Sequence, residues 1–174
     1  MSAFQKILVP IDFSQITPQV LSAASELCRR FEASATLLHV WEAELFSVPG
    51  VYQLYDPTQI PGWNSEMMRS LERARHGMQA DGALQIDIAL VEGAPSREIL
   101  RFAHDGAFDL IVIGTHGRTG LAHALLGSVT EKVVRLADCA VMTVHMRDRS
   151  RSAHLFATAE GAMASPPAVA KPNG

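Results

Sequence analysis

Residues 109–129 read DLIVIGTHGRTGLAHALLGSV. The β-branched run Asp109–Gly114 passes into Gly114-Thr115-His116-Gly117-Arg118-Thr119-Gly120, then through Leu121–Leu126 to Gly127-Ser128-Val129. From Leu110 to Ile113 every residue is apolar, as in a strand covered on both faces. Past Gly127 the spacing becomes helical. Val129, Val133 and Leu136 share one stripe, which predicts a helix from Ser128 to Ala137 buried on that side, with Glu131 and Arg135 paired outside. A strand, a glycine turn and a helix in that order form one unit of a parallel α/β sheet.

The same alternation extends to both sides. Lys6–Ile11 (KILVPI) reads as a first strand. Thr17 is a candidate N-cap and Pro18 a first helical residue, and Val20, Ala24, Leu27 and Phe31 carry a helix over Thr17–Phe31. Ala35–Trp41 predicts a second strand, and Asn64–Ala80 a second helix with Met67, Leu71, Ala74 and Met78 on one face and Gly82 at its end. Leu84–Val91 alternates and predicts a third strand near a sheet edge. Pro95 opens a helix that buries Ile99, Phe102 and Ala103 and stops at Gly106. Ala140–Met146 is the fifth strand, and Asp109–Gly114 the fourth. The expectation is an α/β fold: a single doubly wound domain with a five-stranded parallel sheet and helices on both faces.

Two stretches stand outside this pattern. Residues 42–63 hold Pro49, Gly50, Pro57, Pro61 and Gly62 and read as a long loop. Tyr52 and Tyr55 lie in it, with Trp41 and Trp63 at its ends. These aromatics either fold back onto the second helix or serve as a ligand lid or subunit contact. Residues 148–174 are rich in Ala, Ser and Pro and read as a flexible tail after a domain spanning 1–147.

Composition narrows the classes. Of 174 residues, 48% are hydrophobic and 19% charged, so a packed core is expected and disorder throughout is excluded. The net charge of −3 argues against a general nucleic-acid binder. No apolar run approaches the ~20 residues of a membrane span, and a strand-like run starting at Lys6 leaves no room for a secretory signal. The two cysteines, Cys28 and Cys139, have no metal-ligand spacing and read as buried thiols in a reducing cytoplasm. Met67, Met68, Met78 and Met142 read as core filler.

Chemistry concentrates in G-x2-G-x9-G-S. A glycine-rich turn at a helix N-terminus presents free N–H groups and the positive end of the helix dipole, a site for anions and above all phosphate. Ser128 adds a hydroxyl in the first turn. Neither the phosphate loop G-x4-G-K-[ST] nor G-x-G-x-x-G is present, and no lysine follows Gly127. Phosphate charge is therefore to be offset by backbone amides, the dipole and a divalent cation brought with the nucleotide, Mg2+ or Mn2+. Arg118 is either a further phosphate contact or a solvated loop residue. Asp12, just past the first strand, lies on the same sheet edge. It can accept ribose hydroxyls, help hold a metal, or merely cap the first helix. His116 is either a catalytic base or an exposed loop residue lining the site with its backbone, His39 reads as a satisfied core or edge histidine, and His145 as a candidate for a dimer seam.

KILVPIDFS at 6–14, LLHV at 37–40 and GTHGRTGLAHALLGSVTEKVVR at 114–135 together resemble the universal stress protein family, in its ATP-binding subgroup. The resemblance covers about Lys6 to Met146 and matches every fixed position of G-x2-G-x9-G-[ST]. It implies strand order 3-2-1-4-5 and a homodimer formed by edge-to-edge pairing of strand 140–146. It also implies that Pro10 and Val40 flank the adenine of ATP, with backbone hydrogen bonds from Val40, and that Asp12 faces the ribose. Gly114, Thr115, His116, Gly117, Arg118, Thr119, Gly120, Gly127, Ser128 and Val129 would wrap the ribose and phosphates. Where the family has prolines around the cysteine before the fifth strand, this chain has Asp138 and Ala140.

Three functions are compatible with these residues: a dimeric nucleotide-dependent sensor in the stress response, a slow ATPase or self-phosphorylating enzyme, and a ligand-free interaction module. Phosphoryl transfer needs a positioned nucleophile and concentrated positive charge. No phosphate-loop lysine or clear base is offered here, so turnover is expected to be absent or very slow, and no catalytic residue is assigned. AMP and ADP are possible competitors.

Overall fold

The computed structural model describes residues 4–48, 51–83, 85–115 and 126–145, with the backbone alone for 44–48 and 51–55. The elements run β1 (Lys6–Pro10), α1 (Thr17–Phe31), β2 (Ser34–Trp41), β3 (Glu44–Val48), β4 (Val51–Tyr55), a 3-10 turn (Pro57–Gln59), α2 (Trp63–Ala80), β5 (Ile86–Glu92), α3 (Pro95–Asp105), β6 (Leu110–Gly114), α4 (Ser128–Leu136) and β7 (Ala140–Val144). Five of the strands form one parallel sheet in the order β5-β2-β1-β6-β7. With the expected strands numbered one to five, this is the order 3-2-1-4-5.

Alternation along each strand divides the core in two. Ile7, Val9, Ala35 and Leu37 turn to the side covered by α1 and α2, where they meet Val20, Ala24, Cys28, Leu71 and Met78. Leu8, Leu38, Ile111 and Ile113 turn to the side of α3 and α4, where they meet Ile99, Ala103 and Val133. β1 is central and buried from Ile7 to Pro10, whereas β5 is half exposed, as an edge strand should be. Among the described residues no helix is long and apolar enough to cross a membrane.

Several local expectations are corrected. The 42–63 segment is not an irregular loop. β3 and β4 pair antiparallel from Glu44↔Tyr55 to Val48↔Val51, and Asp56 caps the 3-10 turn by accepting the Thr58 amide at 2.9 Å. Pro49-Gly50 between two β-prone runs, ELFSV and VYQLY, was the available hairpin signal. Thr17 is not the N-cap. Its amide donates to the Ser14 carbonyl at 3.0 Å, Ile16 takes the cap position, and Pro18 is the second helical residue. Leu136 is 55% exposed because α4 ends there, and Ala137 packs inward in its place. Met78 is core, but Met68 and Met142 are exposed. Both cysteines are free, with Cys28 buried and Cys139 half-buried.

Candidate functional site

All five parallel strands end at one rim, with Pro10, Trp41, Glu92, Gly114 and Val144 their last residues. From β1 the chain winds outward through β2 to β5, and from β6 it winds the other way to β7. The reversal between β1 and β6 opens a crevice beyond the carboxyl ends of those strands, the usual ligand position in such sheets.

On the β1 side, Pro10 is buried and Asp12 half-buried. Asp12 Oδ1 accepts the Ser14 amide at 3.0 Å, closing a tight turn in which Phe13 takes a left-handed φ of 58°. Asp12 therefore closes the turn ahead of α1 rather than capping the helix, whose N-cap is Ile16, and it remains at the rim. Val40, on the neighbouring strand, packs against the α3/α4 core cluster that includes Ile113, and so does Val129. Val40 and Val129 are 89 positions apart in sequence, yet they converge on one apolar cluster at the crevice floor.

On the β6 side, Gly114 is fixed by packing. A Cβ there would lie 2.7 Å from Ile16 Cγ2, so the missing side chain lets α1 approach the end of β6. Thr115 is fully buried, its amide bonded to the Val144 carbonyl at 2.9 Å and its carbonyl accepting the Gly127 amide at 2.7 Å. Thr130, one turn into α4, donates its hydroxyl to the Gly114 carbonyl at 2.7 Å. These bonds anchor the mouth of α4 against β6. Within α4 the first helical bond runs from the Glu131 amide to the Gly127 carbonyl at 2.9 Å. The amides of Ser128, Val129 and Thr130 thus have no partner inside the helix and point out of its positive end. Gly127, as N-cap, has no side chain to cover them. Of the predicted site residues, Pro10, Asp12, Val40, Gly114, Thr115, Gly127, Ser128 and Val129 are described and occupy this rim. His116, Gly117, Arg118, Thr119 and Gly120 lie outside the described residues.

His39 is a satisfied core histidine, as its place in the second strand implied, while Thr130 and Glu98 make contacts that no sequence signal marks. His39 reaches the Ile11 carbonyl with Nδ1 at 2.8 Å and sets its ring against Phe13, centroids 4.9 Å apart. Thr130 was passed over because a threonine inside a helix carries no positional signal by itself. Glu98 lies buried under Gly93, whose φ of +138° only glycine adopts readily, and its carboxylate meets Arg101 at 2.7 Å. The hydrogen bond from Arg101 holds the Glu98 carboxyl below the usual carboxylate range. Gly93 in turn donates its amide to the Trp41 carbonyl at 2.8 Å, tying the end of β5 to that of β2. Trp41 meets Trp63 edge to face at 5.2 Å, which docks the end of β2 on the start of α2. That agrees with the fold-back reading for the tryptophans, while the side chains of Tyr52 and Tyr55 lie outside the described residues. Among the described residues no three His, Cys, Asp or Glu side chains gather to hold a metal.

The chain is similar to a universal stress protein of Methanocaldococcus jannaschii, 31% identical over 81% of this chain and 82% of that one. Its fold is similar to that of universal stress protein UspA from Lactobacillus plantarum (TM-score 0.67, 26% identity, covering 81% of this chain and 97% of the other). It is also similar to a universal stress protein solved in complex with cAMP (TM-score 0.64, 25% identity, covering 83% and 98%). The sequence model of the Universal stress protein family matches residues 3–145, and with the sheet order and rim just described this chain belongs to that family.

Proposed function

We propose that this protein is an ATP-binding universal stress protein that acts as a dimeric, nucleotide-dependent regulator in the cytoplasm. One observation carries the reading: Asp12, the Val40 main chain and the open first turn of α4 all border the crevice where the sheet reverses. Adenine fits against the apolar floor made by Pro10, Val40 and Val129, and Asp12 is available to ribose hydroxyls. The amides of Ser128 and Val129 point where phosphates would lie. Each hydrogen bond to a charged group contributes about 1.5–3 kcal/mol, so a few such amides with a buried base reach the ~8 kcal/mol of a micromolar ligand without a lysine. Mg2+ or Mn2+ arriving with the nucleotide would neutralise part of the remaining charge. The cAMP held by a relative of the same fold supports an adenine nucleotide as the ligand class.

Dimerisation is read from β7. It ends the sheet, and Met142 (40% exposed) leaves apolar surface on that end strand. A second copy pairing there would satisfy the main chain and cover that surface.

Heat denaturation of freshly purified protein should release adenine nucleotide identifiable by mass spectrometry, and calorimetry should give micromolar binding of Mg-ATP. Gly117→Val should abolish binding without unfolding the protein. If nothing is released and nothing binds, the chain is a ligand-free module instead. ADP production above background would make it a slow enzyme. Met142→Arg should convert a dimer to a monomer in sedimentation, and an unchanged dimer would remove β7 as the seam.

A further inference from the structure

The ladder between β1 and β2 ends where a side chain meets the main chain. β1 pairs with β2 in parallel from Lys6↔Ser34 to Pro10↔Leu38, and the Ile11 amide then donates to the Leu38 carbonyl at 2.9 Å. In a parallel ladder the next rung runs from the amide two residues further along the partner strand back to the same residue's carbonyl. Here that rung would join the Val40 N–H to the Ile11 carbonyl. Among the described residues it is not made, and His39 Nδ1 stands on the Ile11 carbonyl instead, at 2.8 Å. A carbonyl only accepts, so Nδ1 carries the hydrogen. Leu38 turns its polar main-chain groups toward β1, whereas Trp41 accepts from Gly93 on the β5 side. By the same alternation Val40 turns its N–H and C=O toward β1, into the gap left where that strand departs.

The imidazole also holds the departing chain. Its ring packs on Phe13 with the planes at 49°, Phe13 carries the left-handed φ of 58°, and Asp12 between them caps the Ser14 amide. One buried side chain, 4% exposed, therefore grips the residues on both sides of Asp12.

We infer that His39 is a positioning residue: by capping the Ile11 carbonyl it ends the ladder, keeps the Val40 main chain open to the edge of a purine base, and sets the Asp12 corner. The ligand part of this rests on the adenine-nucleotide reading above, while the ladder part does not.

The test separates the two. In the ligand-free wild type, the Val40 amide should exchange rapidly with deuterium and become protected when Mg-ATP is added. In His39→Phe, which keeps a ring against Phe13 but loses the donor, the Val40 amide should be protected without ligand. Mg-ATP affinity should then fall at least tenfold, with more lost for ATP than for inosine triphosphate, whose base edge differs. His39→Asn restores an N–H at the Nδ1 position and should recover most of the affinity. A general loss of packing would weaken both nucleotides alike and would not protect Val40. A Val40 amide already protected in the ligand-free wild type overturns the inference, and that measurement needs no variant to fold. So does a folded His39→Phe with wild-type exchange and affinity. A wild type that binds no adenine nucleotide while Val40 exchanges as expected overturns the ligand reading and leaves the ladder assignment standing.

Discussion

The Gly127 amide donates to the Thr115 carbonyl at 2.7 Å, closing the base of the glycine segment from one side of residues 116–126 to the other. The neighbouring bond from Thr130 to the Gly114 carbonyl, also 2.7 Å, fixes the rotation of α4 about that closure. Together they aim the open amides of the first turn at the crevice.

Thr130→Val keeps the shape and removes the hydroxyl, leaving the Gly114 carbonyl without its donor. A buried acceptor orphaned in this way costs about 1–3 kcal/mol. Urea denaturation should show that loss, and calorimetry should show weaker Mg-ATP binding, whereas Thr130→Ser should behave nearly as wild type. An unaffected Val variant would mean that the bond does not orient the helix.

Gly114→Ala places a Cβ 2.7 Å from Ile16 Cγ2 and 3.4 Å from Val20 Cγ2. Overpacking of this kind costs about 1–3 kcal/mol. Pairing the change with Ile16→Ala should cost less than the two single changes added together. Strict additivity in this double-mutant cycle would show that the glycine is needed for something other than the approach of α1.

Tryptophan emission should report the site. The chain has two tryptophans, and Trp41 follows Val40 directly while its ring rests on Trp63. In Trp63→Phe, titration with Mg-ATP should change the emission of the single remaining indole with the calorimetric Kd. A flat titration at saturating nucleotide would disconnect Trp41 from the crevice.

Burial pushes the Cys28 thiol up from 9.0 to about 11. An acid whose folded pKa is raised contributes stability that is intact below the unfolded value and is lost as the pH climbs toward the folded one. Between pH 8 and 10.5 the stability advantage of wild type over Cys28→Ala should therefore narrow by about 2 kcal/mol, at about 1.4 kcal/mol per unit. At neutral pH a thiol reagent should modify half-buried Cys139 before Cys28. A pH-independent difference, or faster labelling of Cys28, would contradict its placement in the core.

KILVPIDFS and the spaced glycines ending in Gly127-Ser128 lead to one rim of the sheet, where Pro10, Asp12, Gly114, Gly127 and Ser128 stand, because strands and helices that alternate in this way end together. The helix over Thr17–Phe31 was legible to the residue, since its apolar stripe repeats four times. The β3–β4 hairpin is hard to see in the sequence, because the prolines and glycines of 42–63 signal a loop as strongly as the flanking β-prone runs signal strands. Leu136 was misplaced because periodicity does not say where a helix stops.

The sequence alone determined the alternation of strands and helices, the two-sided core and the place of the glycine-rich segment between strand and helix, because apolar period and glycine placement are local properties. Only the tertiary structure decided that the absent side chain of Gly114 makes room for Ile16, that Thr130 ties α4 to β6, and that His39 reaches the Ile11 carbonyl where the β1–β2 ladder ends. Those are contacts between residues 16 to 98 positions apart, made by the register of parallel strands and the seating of helices on them, and neither is encoded in any single stretch of chain.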